Sequence, residues 1–245
     1  MRAKKKKKRL SQKAAAARRR AKKRRRGLNV PFSLANANCK FKGRTDAHDI
    51  KTNIHNLIFN NGTFRNVKYT DANITYCKFK NANFLGVDFI NTNLKKSTFK
   101  NAKFKDVIFF GTNLKDVNFL NSTFENTYFV QTNIEHARNI NPDTPGITIL
   151  KRMPSEELHE SLVDNITVLV NSHPELKKHF VLTTKSSKGK KINHWIIHIL
   201  MQEFTQLEIN KGIEKLKKNQ KNKLFFTYYS YAYFLRSYLK KNATM

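Results

Sequence analysis

Residues 92–114 read TNLKKSTFKNAKFKDVIFFGTNL, and the spacing within this stretch decides the architecture. Leu94, Phe99, Phe104, Phe109 and Leu114 recur at every fifth position. Outward in both directions the beat continues without a phase error, through Ile54, Phe59, Phe64, Tyr69, Ile74, Phe79, Phe84 and Phe89 before it and Phe119, Phe124, Phe129 and Ile134 after it, giving seventeen centres. Neither a helical period of 3.6 nor a strand period of 2 would put these side chains on one face, so a repeat architecture is implied. Two residues before a centre the chain places small groups (Ala72, Cys77, Ala82, Val87, Ser97, Ala102, Val107, Thr112). Two residues after it come Asn, Asp or Gly (Asn56, Asn66, Asp71, Asn81, Gly86, Asn91, Asn101, Asp106, Gly111, Asp116), which tolerate positive φ and imply a corner once in five residues.

A chain that bends every five residues closes a coil after a whole number of sides. The non-aromatic centres Ile54, Ile74, Leu94, Leu114 and Ile134 are spaced by twenty, as are the triplets that contain them (Thr92-Asn93-Leu94, Thr112-Asn113-Leu114), so each coil has four sides. Stacked at strand spacing, the coils from 52 to 137 make a rod about 20 Å long. The pattern resembles the pentapeptide-repeat family, whose members form a right-handed quadrilateral β-helix. The fold expected is therefore mainly β, a four-sided β-helix with a disordered basic amino-terminal arm and an α-helical carboxy-terminal cap or small domain.

The domain reading is an arm over 1–27, an irregular first coil over 28–51 with a loop near Gly43 to Asp49, the β-helix over 52–140, a turn-rich linker over 141–154 and helices over 155–245. Ser155-Glu156-Glu157 reads as a helix start with Leu158, Leu162 and Ile166 at helical spacing. A second helix is expected from Asn193 through Ile196, Ile197, Leu200, Phe204, Leu207 and Ile213. A third, aromatic-rich one spans Leu224 to Leu239.

The charge is the strongest functional signal. The chain of 245 residues carries a net charge of +31, and sixteen Lys or Arg fall within residues 1–26 with no acid among them, leaving +15 for the rest. The candidate nucleic-acid-binding residues are Lys4, Lys5, Lys6, Lys7, Lys8, Arg9, Arg18, Arg19, Arg20, Lys22, Lys23, Arg24, Arg25 and Arg26. Clustered cations that neutralise phosphates release counterions and bind DNA or RNA without sequence preference. RNA, and the ribosome in particular, is favoured over DNA because long basic extensions suit threading into folded RNA. The two basic blocks also resemble a nuclear or nucleolar import signal, which would suit a bacterial effector secreted into a host cell. Otherwise a cytoplasmic or nucleic-acid-associated location is expected. A membrane surface is disfavoured, and neither a secretory signal nor an 18-residue apolar span is present in the sequence.

One side of the rod shows an apolar row on its outer surface, with Thr70, Ile90, Phe110 and Val130 following the centres and Ile108 and Tyr128 preceding them. Such a row needs a cover. Ile90, Ile108, Phe110, Tyr128 and Val130 therefore form a candidate partner-binding surface, to be occupied by the carboxy-terminal helices, a protein partner or a second copy. Stacked Lys95 and Lys115, and Lys80 and Lys100, form modest basic ridges on other sides.

Catalysis finds little support. His194 and His198 are spaced as on a zinc-binding helix, but Trp195 stands where the metalloprotease pattern needs Glu. Cys39 and Cys77 occupy small-residue positions and are expected to be packed and inert. No phosphate loop, nucleophile elbow or isolated carboxylate pair is present, so no enzyme activity, cofactor, metal or small-molecule substrate is expected. Some members of the family it resembles protect DNA gyrase by imitating DNA with an acidic surface. The coils from 52 to 137 carry ten Lys or Arg against six acids, which argues against that topoisomerase-directed role.

Overall fold

The computed structural model describes residues 44–50, 53–218 and 225–243; the basic arm, Cys39 and most of the expected first coil lie outside them. Six strands form one all-parallel sheet in the order β1 (Arg44–Ile50), β3 (Thr63–Thr70), β5 (Asn83–Ile90), β6 (Lys103–Phe110), β7 (Thr123–Val130) and β8 (Ile147–Leu150), while β2 (Asn53–His55) pairs with β4 (Asn73–Thr75). From β3 to β8 every register partner is twenty residues away, as in Phe64 with Phe84, Phe84 with Phe104 and Phe104 with Phe124. Single bridges on the remaining sides step by the same interval, from Ile58 to Lys78, Thr98, Asn118 and Arg138. The molecule is thus a four-sided parallel β-helix with a carboxy-terminal helical region.

Corner geometry follows the five-residue beat. Every fifth residue from Asn56 to Gln131 has φ between +46° and +65°. Asn, Asp and Gly adopt this left-handed conformation at low cost, whereas Tyr76, Lys96 and Gln131 are held in it by the register of their neighbours. Asparagine ladders link successive corners: Asn81 Nδ2 donates to Asn61 Oδ1, and Asn101 Nδ2 to Asn81 Oδ1, each at 3.1 Å.

Inside, the rings of Phe64, Phe84, Phe104 and Phe124 stack at 4.8, 5.0 and 5.2 Å within 7° of parallel. A second column runs through Phe59, Phe79, Phe99 and Phe119, and a third through Tyr69, Phe89, Phe109 and Phe129. The small positions close the space between columns. Where they are hydroxyl residues, the group is used: Ser97 Oγ donates to the Ile74 carbonyl and Thr112 Oγ1 to that of Phe89. Cys77 is fully buried at such a position, and burial pushes its thiol up to about 11.

The helices are α1 (Glu160–Ser172), α2 (Pro174–His179), α3 (His194–Met201), α4 (Gln206–Lys217) and α5 (Tyr228–Ala243). Four boundaries differ from the sequence reading. Residues 44–50 form a strand with register shifts, not a loop. The stretch read as a linker contains β8, which continues the β-helix beyond its last recognisable repeat. Ser155 does not start a helix, because its neighbours are claimed by others: Glu156 Oε2 lies 2.8 Å from His198 Nδ1, and the Glu157 carbonyl accepts from Gln206 Nε2. The expected second helix is two, separated at Thr205, whose hydroxyl accepts from the Glu208 N–H while the Glu208 carboxylate accepts from the Thr205 N–H.

Candidate functional site

The helices lie on the side whose inward centres are Tyr69, Phe89, Phe109 and Phe129. Read by coil, the outward residues of that side form two ladders: Lys68, Asp88, Ile108, Tyr128 before the centres and Thr70, Ile90, Phe110, Val130 after them. Over the later coils the contact is apolar. Ile108, Tyr128 and Val130 are buried in one cluster with Leu162, Leu169, Ile197, Ile213 and Tyr231, and the Tyr128 and Tyr228 rings meet at 5.8 Å. Phe110 is half-buried with its ring edge-on to Trp195 at 6.1 Å, and Ile90 is half-buried. The cover on this row is the chain's own helices, so Ile108, Tyr128 and Val130 are not open to a separate partner.

On the earlier coils the same ladders turn polar. Lys68 Nζ donates to the His179 carbonyl at the last turn of α2, a position where a cation complements the carbonyl end of a helix. Asp88 Oδ2 accepts the Tyr228 N–H at the first turn of α5 at 3.0 Å, where a carboxylate is equally well placed. Burial pushes the Asp88 carboxyl up to about 7, opposed by the nearby Lys68 ammonium and the Tyr228 N–H.

Helix α5 follows the adjacent row of corners, Asn66, Gly86 and Asp106. Thr227 Oγ1 and Ser230 Oγ donate to Asn66 Oδ1 at 2.6 and 2.8 Å. A Cβ on Gly86 would sit 2.2 Å from the Tyr229 ring. Arg236 closes the row with two bonds to the fully buried Asp106 carboxylate, at 3.0 and 2.7 Å, and two more to Glu203.

Between the polar coils and the helical region lies a cavity of about 510 Å³. Its lining joins Lys68, Thr70 and Asp88 of the β-helix to His179, Thr183 and Trp195 of the helical region. The exposed ion pair of Lys185 with Asp71 (3.2 Å) lines it as well. Sequence reasoning missed this site. The ladder that exposed Ile108 and Tyr128 continues to Asp88 and Lys68 when stepped two coils further back, and a buried carboxylate beside a buried lysine was the available signal.

His194 is exposed, whereas His198 faces Glu156, so the two do not converge. Among the described residues no group of three or more His, Cys, Asp or Glu is placed to hold a metal, and no helix is long and apolar enough to cross a membrane.

A β-helix with four sides, twenty-residue coils and a left-handed corner at every fifth residue defines a class of repeat protein. Residues 52–129 match the pentapeptide repeat region, and over this segment the chain is a pentapeptide-repeat protein. Solved structures similar to it include a pentapeptide repeat protein, Rfr23, from the cyanobacterium Cyanothece 51142 (21% identity over 40% of this chain, TM-score 0.31). The chain spans 65% of that protein's length. A trypsin-treated form of QnrB1, a plasmid-mediated fluoroquinolone resistance protein, is similar at 11% identity over 48% of this chain and 76% of its own, with a TM-score of 0.23. Full-length QnrB1 is similar at 10% identity over 45% of this chain and 93% of its own, with a TM-score of 0.16. No curated protein matches the chain.

Proposed function

We propose that the protein is a non-enzymatic binding scaffold that attaches to nucleic acid, RNA before DNA, through its basic amino-terminal arm. The observation that carries this reading is the charge distribution: sixteen Lys or Arg and no acid in residues 1–26 of a chain with net charge +31. So dense a run of cations draws polyanions to it at any ionic strength where charges are not fully screened. Aromatic residues are absent from the arm, so attachment is to phosphates without base stacking. The β-helix adds exposed Lys80, Lys100, Lys103 and Lys115, which keep its surface compatible with a polyanion lying alongside. The rest of the body offers surfaces to a protein partner.

The test is binding to structured RNA and duplex DNA across a salt series, for the full chain and for a chain beginning at Gly27. Log affinity for RNA is expected to fall with log salt by roughly 0.7 per phosphate neutralised, and this dependence is expected to collapse without the arm. Equal, weak binding by both chains would overturn the reading and leave the arm as an address for import.

A further inference from the structure

The cavity between β3, β5 and the helical region has the composition of a ligand site. Its volume of about 510 Å³ lies in the range of about 300–1,000 Å³ typical of small-molecule pockets. At about 30 Å³ per water, a space of that size exceeds by more than tenfold what one bridging water fills. Ile90, Phe110, Trp195 and Ile196 supply apolar wall. Against it stand three buried polar atoms with no hydrogen-bond partner among the described residues, Asp88 Oδ1, Thr70 Oγ1 and Thr183 Oγ1, on residues 2%, 6% and 3% exposed. Folded proteins leave few such groups, and here three line one cavity.

The repeat does not require them. One coil on, the Asp88 position is Ile108, and the Thr70 position is Ile90. The other Asp88 oxygen already holds the start of α5, so Oδ1 is free to recognise something else. When ionised, Asp88 Oδ1 only accepts hydrogen bonds, hence a ligand held by that form must donate one. An anionic head is disfavoured beside Asp88, and the neighbouring Lys68 already balances the carboxylate, so a neutral donor suffices.

We propose that this cavity binds a small molecule with an apolar, ring-sized body and an N–H or O–H donor at one end, the body against Phe110 and Trp195 and the donor on Asp88 Oδ1. Binding of this kind would add to nucleic-acid attachment and does not depend on it.

Trp195 is the one tryptophan in the chain and lines the cavity, so its fluorescence reports occupancy directly. The full chain is titrated at pH 8.5, above the Asp88 value of about 7, with 2-phenylethanol and phenethylamine, which carry a donor, and with ethylbenzene and 3-phenylpropionate, which do not at that pH. Saturable changes in the millimolar range are expected for the first two, with ethylbenzene and 3-phenylpropionate weaker by about fivefold or more. Asp88→Ala is expected to weaken the donor probes by about tenfold and to leave ethylbenzene unchanged. Because Asp88 also tethers α5, Ile90→Phe serves as a second variant that narrows the cavity at its apolar wall without removing a polar group or adding a tryptophan; it should weaken binding by about tenfold while circular dichroism and melting stay near those of the parent. No saturable change with either donor probe would overturn the proposal. So would a response undiminished in Ile90→Phe, or ethylbenzene binding as tightly as the donors.

Discussion

Single positions separate the demands of the repeat from those of the helical cover. Phe104 serves the repeat, with stacked neighbours at 5.0 and 5.2 Å, and Phe104→Ala is expected to cost about 3–5 kcal/mol by chemical denaturation because the rings around it cannot collapse into the space. Gly86 serves the cover. Its corner conformation is one that Asn66 and Asn126 adopt in the same row, so positive φ does not explain the glycine. The Tyr229 ring, which would lie 2.2 Å from a Cβ, does. Gly86→Ala should therefore destabilise by about 1–3 kcal/mol, and a double-mutant cycle with Tyr229→Ala should recover a large part of that loss. Asp88 carries a signature in pH. Its folded value near 7 stands above the unfolded 3.8, so the folded state holds the proton more tightly and this contribution to stability is lost as pH rises from 3.8 towards 7. Asp88→Asn cannot titrate, so its melting temperature should gain on the parent's between about pH 4 and pH 7, and a constant difference would refute the assignment.

Secondary elements show how far the sequence could be read. The β-helix was legible almost completely, because each side repeats one rule: a large inward centre, a small inward partner and a corner residue. The structure adds corners at Tyr76, Lys96 and Gln131, which the Asn, Asp or Gly preference had not marked. Elements outside the repeat were set by contacts distant in sequence and were read less well. Nothing near Ser155 reveals that Glu157 will bond Gln206. By contrast, the break at Thr205 was written locally in Thr205 and Glu208 and was overlooked within a long apolar pattern. Helix α5 is the element on which the cover depends, and Arg236 anchors it at the Asp106 corner. Arg236→Ala would leave the fully buried Asp106 carboxylate without its counter-charge, at a cost of about 3 kcal/mol, whereas Arg236→Ala combined with Asp106→Asn should cost less than the single change.

At the scale of the whole molecule, the candidate cavity exists only where the β-helix and the helical region meet, which is why neither segment announces it alone. The candidate nucleic-acid site has the opposite character: it is explicit in the composition of residues 1–26 and needs no fold to be noticed. The anchoring of α5 links the lengths of the two regions. Ser230 and Arg236 engage Asn66 and Asp106, two coils apart. Two coils advance by about 9.6 Å at strand spacing, and six helical residues by about 9 Å. One coil of twenty residues thus matches nearly one turn of helix. Over the history of such a chain, gain or loss of a twenty-residue coil between these anchors would be inherited intact only together with an insertion or deletion of three or four residues in α5. Lengths in the two regions should therefore covary among descendants, although their sequences share no motif.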